Sequence, residues 1–335
     1  MNRFLLFCVC TVLFVGCGEV AKDAGEGGDG TGYEDNRTPI QVVSDSIASD
    51  STNAALYIMR AQMCLQDEQI GNAIHDINKA LSLDRNNVDA LLVLADVYLA
   101  LGDQDNILAT LTKASDIAPY DVRPMVKLSE FYFIQGNMQL SKAYADKALD
   151  VNNFNPRAYF MRGMVYLSKN DTASALSNFM MSRNQDDNYY DPLIEIAQIN
   201  AAMRNPIADD FFKEAIANFP DVHSTYYDYA LYLQDNGKPL EAIALYDTLI
   251  SIYPQESRFY YNKGYVYLVY LFDYQKALDC FDQSIDIRPT IDAFYNKGRT
   301  LEQMGNFAAA KDTYLKILQT EPNYQLALDA LQRLE

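Results

Sequence analysis

The sequence predicts an all-α fold, a solenoid of about eight helix-turn-helix units in place of one compact core. Three observations carry that expectation. A column of small residues, Ala61, Ala95, Ser129, Gly163, Ala197, Ala230, Gly264 and Gly298, recurs every 34 residues with a single interval of 33. A second column, Ile77, Leu111, Ala145, Phe179, Phe212, Tyr246, Phe281 and Tyr314, is large and apolar except at Ala145. Turn formers fall within units at Gly102, Gly136, Asn205-Pro206, Gly237 and Gly305, and between units at Pro119, Pro220, Pro254, Pro289 and Pro322. Two antiparallel helices approach closely only where one presents a small side chain, and large residues fill the space beside that contact. Each period is therefore a helical hairpin.

The chain begins differently. Asn2 and Arg3 precede an apolar run from Phe4 to Val15, too short to span a bilayer as a helix and patterned like a secretory signal. The run ends in Phe14-Val15-Gly16-Cys17, which resembles the lipobox of bacterial lipoproteins. The resemblance implies that residues 1–16 are removed and that Cys17 is lipidated, anchoring the chain at a bacterial outer membrane, facing the periplasm or the cell surface. Ordinary secretion with Cys17 incidental is the other interpretation. Gly18 in place of Asp carries no sign of inner-membrane retention. Residues 17–38 are rich in Gly, Asp and Glu with little to bury, and are expected to form a disordered acidic tether.

From residue 39 to 335 the solenoid is expected to run in units near 53–86, 87–120, 121–154, 155–188, 189–221, 222–256, 257–290 and 291–323. Pro39 to Ser51, with Ile40, Val43 and Ile47 on one face, fits a lone helix capping the first unit, and residues 324–335 fit a cap at the other end. Asn155-Pro156, Asp191-Pro192 and Thr290 suit helix starts. Unit five is one residue short, and unit seven has one residue too many near Leu271.

These columns resemble the tetratricopeptide repeat over about Asn53 to Asn323, for example in Tyr159-Phe160-Met161-Arg162-Gly163 and Tyr295-Asn296-Lys297-Gly298. The resemblance implies a right-handed superhelix whose first helices line a concave groove. It places Ile58, Leu92, Val126, Phe160, Ile194, Tyr227, Tyr261 and Tyr295 in that groove. Phe160 and the consecutive Tyr227, Tyr261 and Tyr295 are candidate partner contacts, since rigid amphipathic rings favour such surfaces. The alternative is that these rings pack between units. Arg157 and Arg258 stand near helix N-termini, where acids are preferred; with Arg299 they either grip a partner's carboxylates or pair with acids of adjacent units. The Lys and Asn pattern with which chaperone-binding relatives clamp a C-terminal carboxylate is absent, those positions holding Ile58, Gln62, Leu92 and Asp96.

Composition narrows the function. The 335 residues carry 45 acidic against 27 basic side chains, a net charge of −18, with no basic tract, which argues against a nucleic-acid partner. Anionic lipid headgroups would also repel the chain, so membrane attachment is expected through lipid alone. His75 and His223 fall in different units, and Cys64 and Cys280 are too far apart in the repeat register to pair. No P-loop, dinucleotide fingerprint or nucleophile elbow is present. The expectation is a non-enzymatic envelope scaffold, without cofactor or metal, that binds a protein or peptide partner. A glycan-binding accessory protein stacking sugars on the Tyr stripe is the alternative.

Overall fold

The structure, a computed structural model, describes residues 37–335. The expected signal peptide, Cys17 and all but the last two tether residues lie outside the described residues. Among those described, regular structure is entirely helical. Helix α1 (Pro39–Ser49) starts in a capping box: the Gln41 amide donates to Thr38 Oγ1 at 3.3 Å and the Thr38 amide donates to Gln41 Oε1 at 2.8 Å. Eight hairpins follow. They are α2 (Ala54–Gln66) with α3 (Ile70–Leu83), α4 (Val88–Leu101) with α5 (Gln104–Ile117), α6 (Val122–Ile134) with α7 (Met138–Val151), and α8 (Pro156–Ser168) with α9 (Thr172–Gln185). Next come α10 (Tyr190–Ala202) with α11 (Ala208–Asn218), α12 (His223–Asp235) with α13 (Pro239–Ile252), α14 (Ser257–Val266) with α15 (Tyr274–Ile287), and α16 (Ile291–Gln303) with α17 (Phe307–Thr320). Helix α18 (Gln325–Arg333) covers the last hairpin.

Within each hairpin the small column meets the large one. Gly163 lies so near the Phe179 ring that a Cβ there would sit 2.6 Å from it, and Gly298 stands in the same relation to Tyr314. Phe179, Phe281 and Tyr314 are fully buried. In the third hairpin, where the large residue is Ala145, the contact is polar instead: Ser129 Oγ donates to the Ser141 carbonyl at 2.8 Å. Helix starts are capped by side chains that accept a backbone N–H, among them Asn53, Asn87, Asp121, Asn155 and Thr290.

The turn inside every hairpin holds one left-handed residue. These are Glu68, Gly102, Gly136, Asn170, Arg204, Gly237, Phe272 and Gly305, so the period is as visible in φ as in side-chain size. The sequence had pointed to Asn205-Pro206 as the break of unit five, but the left-handed residue is Arg204 at φ 55°, and α11 begins only at Ala208. In unit seven the surplus residue is absorbed by a single π-turn, Tyr267–Leu271, that continues α14, after which Phe272 makes the left-handed step at φ 57°.

First helices of three consecutive pairs of hairpins touch (α2 with α4, α6 with α8, α10 with α12), and no two second helices meet as closely. The stack therefore curves with its first helices inside, which makes them the floor of a groove.

Gly163→Ala should lower stability by roughly 1–3 kcal/mol through overpacking against Phe179, while Gly71→Ala, with open space around it, should be neutral or mildly stabilising; urea unfolding of both variants checks the pair. Arg204→Gly, relieving a left-handed side chain that is exposed, should gain about 1 kcal/mol, read as a higher midpoint in the same titration.

Candidate partner-binding groove

The groove floor is held together by bonds that step from one first helix to the next. Arg123 Nη1 donates to Asp89 Oδ1 at 2.7 Å, Lys127 Nζ to Asp96 Oδ1 at 2.5 Å, and Gln198 Nε2 to Asp228 Oδ2 at 2.8 Å. Toward the C-terminus the pairs become Tyr and Asn: Asn262 Nδ2 donates to the Tyr227 hydroxyl at 3.0 Å and Asn296 Nδ2 to the Tyr261 hydroxyl at 2.9 Å.

These bonds tie Tyr227 and Tyr261 of the aromatic stripe into the stack. Tyr227, Tyr261 and Tyr295 are half-buried, and each ring packs on the large residue of its own second helix, Tyr246, Phe281 and Tyr314 at centroid distances of 6.4, 5.9 and 5.9 Å. The rings are packed within the stack and keep part of their surface open. Phe160 requires a correction: at 3% exposed it packs between Phe179 and Tyr189 and offers no surface to a partner. The cause is its column, which faces the next hairpin as much as the groove.

The arginines also find internal company. Arg157 lies over the Tyr189 ring at 5.8 Å, Arg299 over Tyr295 at 5.9 Å while donating to Asn296 Oδ1, and Arg258 over Tyr227 and Phe259 at 5.2 and 5.0 Å. Arg258 stays exposed, 3.6 Å from Glu256. With Tyr261, Arg288, Thr290 and Asp292 it lines an open cleft of about 420 Å³ between the seventh and eighth hairpins. Arg258 and Tyr261 are thus brought together, whereas Arg157 and Phe160, on α8, stand three hairpins away.

Sequence reasoning missed the centre of the floor. Glu130 on α6, Asp191 and Glu195 on α10, and Asp228 on α12 are half-buried carboxylates. Burial raises all four. It carries Glu195 up to about 7, with the like charge of Asp191 adding to the effect. Lys127 and Arg157 oppose the rise at Glu130, Arg157 and the Tyr189 hydroxyl oppose it at Asp191, and the Gln198 amide opposes it at Asp228. No hydrogen bond or ion pair reaches Glu130 or Glu195 among the described residues. The repeat register explains why. The diagonal that joins Asp96 to Lys127 and Gln198 to Asp228 sets Met161 opposite Glu130 and Met164 opposite Glu195. The missing partner was legible in the columns beside the small one, had they been followed across unit boundaries. These carboxylates do not converge on a point: among the described residues no three His, Cys, Asp or Glu side chains are placed to hold a metal ion.

Stacked hairpins with a groove of this build define a helical-repeat solenoid of the protein-interaction kind. The chain carries tetratricopeptide repeats: the family model of that repeat matches residues 54–87, 88–121, 257–291 and 291–324. The human mitochondrial import receptor subunit TOM70 is 24% identical over 280 residues, covering 78% of this chain and 45% of that protein, and its rat counterpart is 23% identical over 274 residues with the same coverage. The chain spans about half the length of these curated relatives. Among solved structures it is similar to the APC/C hetero-tetramer Cut9-Hcn1, with a TM-score of 0.52, 14% identity and coverage of 88% of this chain and 58% of that one. PilF of Pseudomonas aeruginosa gives a TM-score of 0.52 at 18% identity, covering 62% of this chain and 94% of that one. Both structural likenesses show the fold.

Glutamate in an unfolded chain titrates near ~4.3, so between about that pH and 7 the folded chain binds the extra proton at Glu195, and stability falls as pH rises through the window. Glu195→Gln should therefore be more stable than the parent at pH 8, by roughly 1–3 kcal/mol, and nearly equal to it at pH 4.5. Urea midpoints of the two proteins at both pH values check this.

Proposed function

We propose that this chain is a non-enzymatic adaptor, tethered through lipid on Cys17 to a bacterial outer membrane, that holds a segment of another envelope protein in its concave groove. Tetratricopeptide repeats are protein- and peptide-binding modules, and the observation that carries the proposal is the state of the groove. Most of its polar side chains are tied to the next hairpin, yet Glu130 and Glu195 are left without partners at its centre and Arg258 stays exposed in the cleft at its C-terminal end. Half-buried carboxylates that make no hydrogen bond within the chain are free to accept one from a bound partner. The relatives named import receptor subunits are consistent with a receptor-like role for the shared half of their length. The membrane side of the proposal rests on Gly16-Cys17 at the end of the apolar run and on a net charge of −18, which leaves lipid as the means of attachment. No helix among the described residues is long and apolar enough to cross a membrane.

Two measurements test the two halves. Cells fed an alkyne palmitate analogue should label the chain, and Cys17→Ser should lose the label and leave the membrane fraction; label retained by Cys17→Ser would overturn the anchor. A photoreactive residue at Tyr261 should crosslink in cells to one recurrent envelope protein, and crosslinks that are absent or spread over abundant neighbours would overturn the adaptor.

A further inference from the structure

The cleft between the seventh and eighth hairpins lies beside a change in one column. Three residues beyond the large residue of the second helix stand Leu249, Ser284 and Ile317 in the sixth, seventh and eighth hairpins. Leu249 and Ile317 are fully buried and fill their space. Ser284 is as deeply buried, at 2% exposed, but has a smaller side chain. The cleft that opens beside it holds about 420 Å³, within the range of small-ligand sites.

The Ser284 hydroxyl has no use inside the fold. In the same column Ser182 donates to the Pro156 carbonyl at 2.7 Å, and on other second helices Thr248 and Thr313 bond back to the preceding turn. No hydrogen bond reaches Ser284 Oγ among the described residues, and no fully buried side-chain oxygen among them lacks a partner. The little surface that Ser284 keeps is therefore its hydroxyl, in the wall of the cleft. Ser257, on the first turn of α14 and 9% exposed, lines the same cleft with a hydroxyl that is also without a partner among the described residues.

Further donors join these two. Arg288 follows directly on α15, and its guanidinium makes no ion pair or hydrogen bond among the described residues. Arg258 is steadied by the Tyr227 and Phe259 rings, while its carboxylate neighbour Glu256 stands at 3.6 Å, beyond hydrogen-bonding reach. The Tyr261 hydroxyl accepts from Asn296, which leaves its own proton to give, and burial foremost keeps that proton in place, pushed up to about 12. An occupant of this cleft must bring acceptors.

Resting on the groove-binding function proposed above, we infer that the cleft is a subsite for one acidic side chain, a Glu or Asp within the partner's segment, whose carboxylate is taken by Arg258 and Arg288 with the Ser257, Ser284 and Tyr261 hydroxyls around it. Glu256 and Asp292 select this kind of anion. They balance the two guanidiniums, so a dianion such as phosphate finds no net attraction, whereas a single carboxylate meets paired forks and little repulsion. An internal residue also carries a backbone N–H on each side of its side chain, and the cleft offers one carboxylate from each first helix to receive them, Glu256 at the start of α14 and Asp292 on α16. A chain terminus brings such donors on one side only.

The test is calorimetric titration of the full chain in detergent with the blocked peptide acetyl-Ala-Ser-Glu-Ser-Ala-amide, carried to millimolar concentration. Expected are saturable binding, a loss of roughly tenfold or more when Gln replaces the Glu of the peptide, and a similar loss in Arg288→Gln. Ser284→Leu, which gives the column the side chain it has at Leu249, should abolish binding by filling the cleft. Arg288 is exposed and unpaired within the chain, so Arg288→Gln should melt with the parent, and its loss of binding is then not a loss of fold. Equal binding of the Glu and Gln peptides, or full affinity in Arg288→Gln, would overturn the assignment. So would tighter binding of inorganic phosphate, or of Ala-Ser-Ala-Ser-Ala with a free C-terminal carboxylate. If no peptide binds while the Tyr261 crosslink still captures one envelope protein, the acidic-side-chain assignment fails and the adaptor stands; if the crosslink fails too, both fall.

Discussion

The hairpins close where a small residue of the first helix lies against a large residue of the second, the third using a Ser129–Ser141 contact instead, and the rest of the molecule follows from that closure. Gly163 under Phe179 and Gly298 under Tyr314 leave no room for even a methyl group. Such tight closure fixes the angle between the two helices, and an angle repeated eight times fixes the curvature of the stack. The first helices are then crowded on the inner face and the second helices spread on the outer one. The groove is a by-product of packing, and its floor is whatever the sequence places beside the small column.

The turn between the two helices is the second constraint, and it shows how loosely residue type is bound to conformation. All eight turns use a left-handed residue, yet only four supply glycine; Glu68, Asn170, Arg204 and Phe272 hold the same conformation. Hairpin closure determines the backbone there, and side chains other than glycine pay about 1–2 kcal/mol. Unit seven lengthens its first helix by a π-turn and still returns to the same left-handed step. An insertion that broke the closure contact would have cost more than one that bent the helix beyond it.

This explains which features were legible in the sequence. The period, the hairpins and the capping helix at Pro39 follow from residue size at fixed spacing, which is a property of the sequence itself. The groove was only half legible, because a position in a groove does not say whether its side chain is free. Phe160 and Tyr227 occupy the same column, and one is buried while the other is half-exposed, since what differs is the neighbour each packs against. Freedom is a relation between two units. Asp96 and Glu130 share a column and a charge sign, but 31 residues further on Asp96 meets Lys127, whereas the position corresponding to it for Glu130 holds Met161. A search of single columns for conspicuous residue types selects Tyr and Arg; a search along diagonals for missing partners selects Glu130 and Glu195.

A solenoid can carry such unpaired acids more cheaply than a compact domain can. In a single core, the cost of a desolvated carboxylate is set against the stability of the whole fold. Here each hairpin contacts only its neighbours, so the strain at Glu195 is borne by the fourth to sixth hairpins. Those three are bound by ion pairs and hydrogen bonds, including Arg183 with Glu214, Arg162 with Asn178, and Asp209 with Lys213, Lys238 and the Tyr229 hydroxyl. The last set matters electrostatically: against the burial that would raise it, those hydrogen bonds hold the Asp209 carboxyl down to about 2. Two half-buried acids of the same hairpin are therefore driven in opposite directions, Asp209 by partners within the fold and Glu195 by burial and the like charge of Asp191. The one acid serves the stack, and the other, on the first helix, is bound to nothing within it.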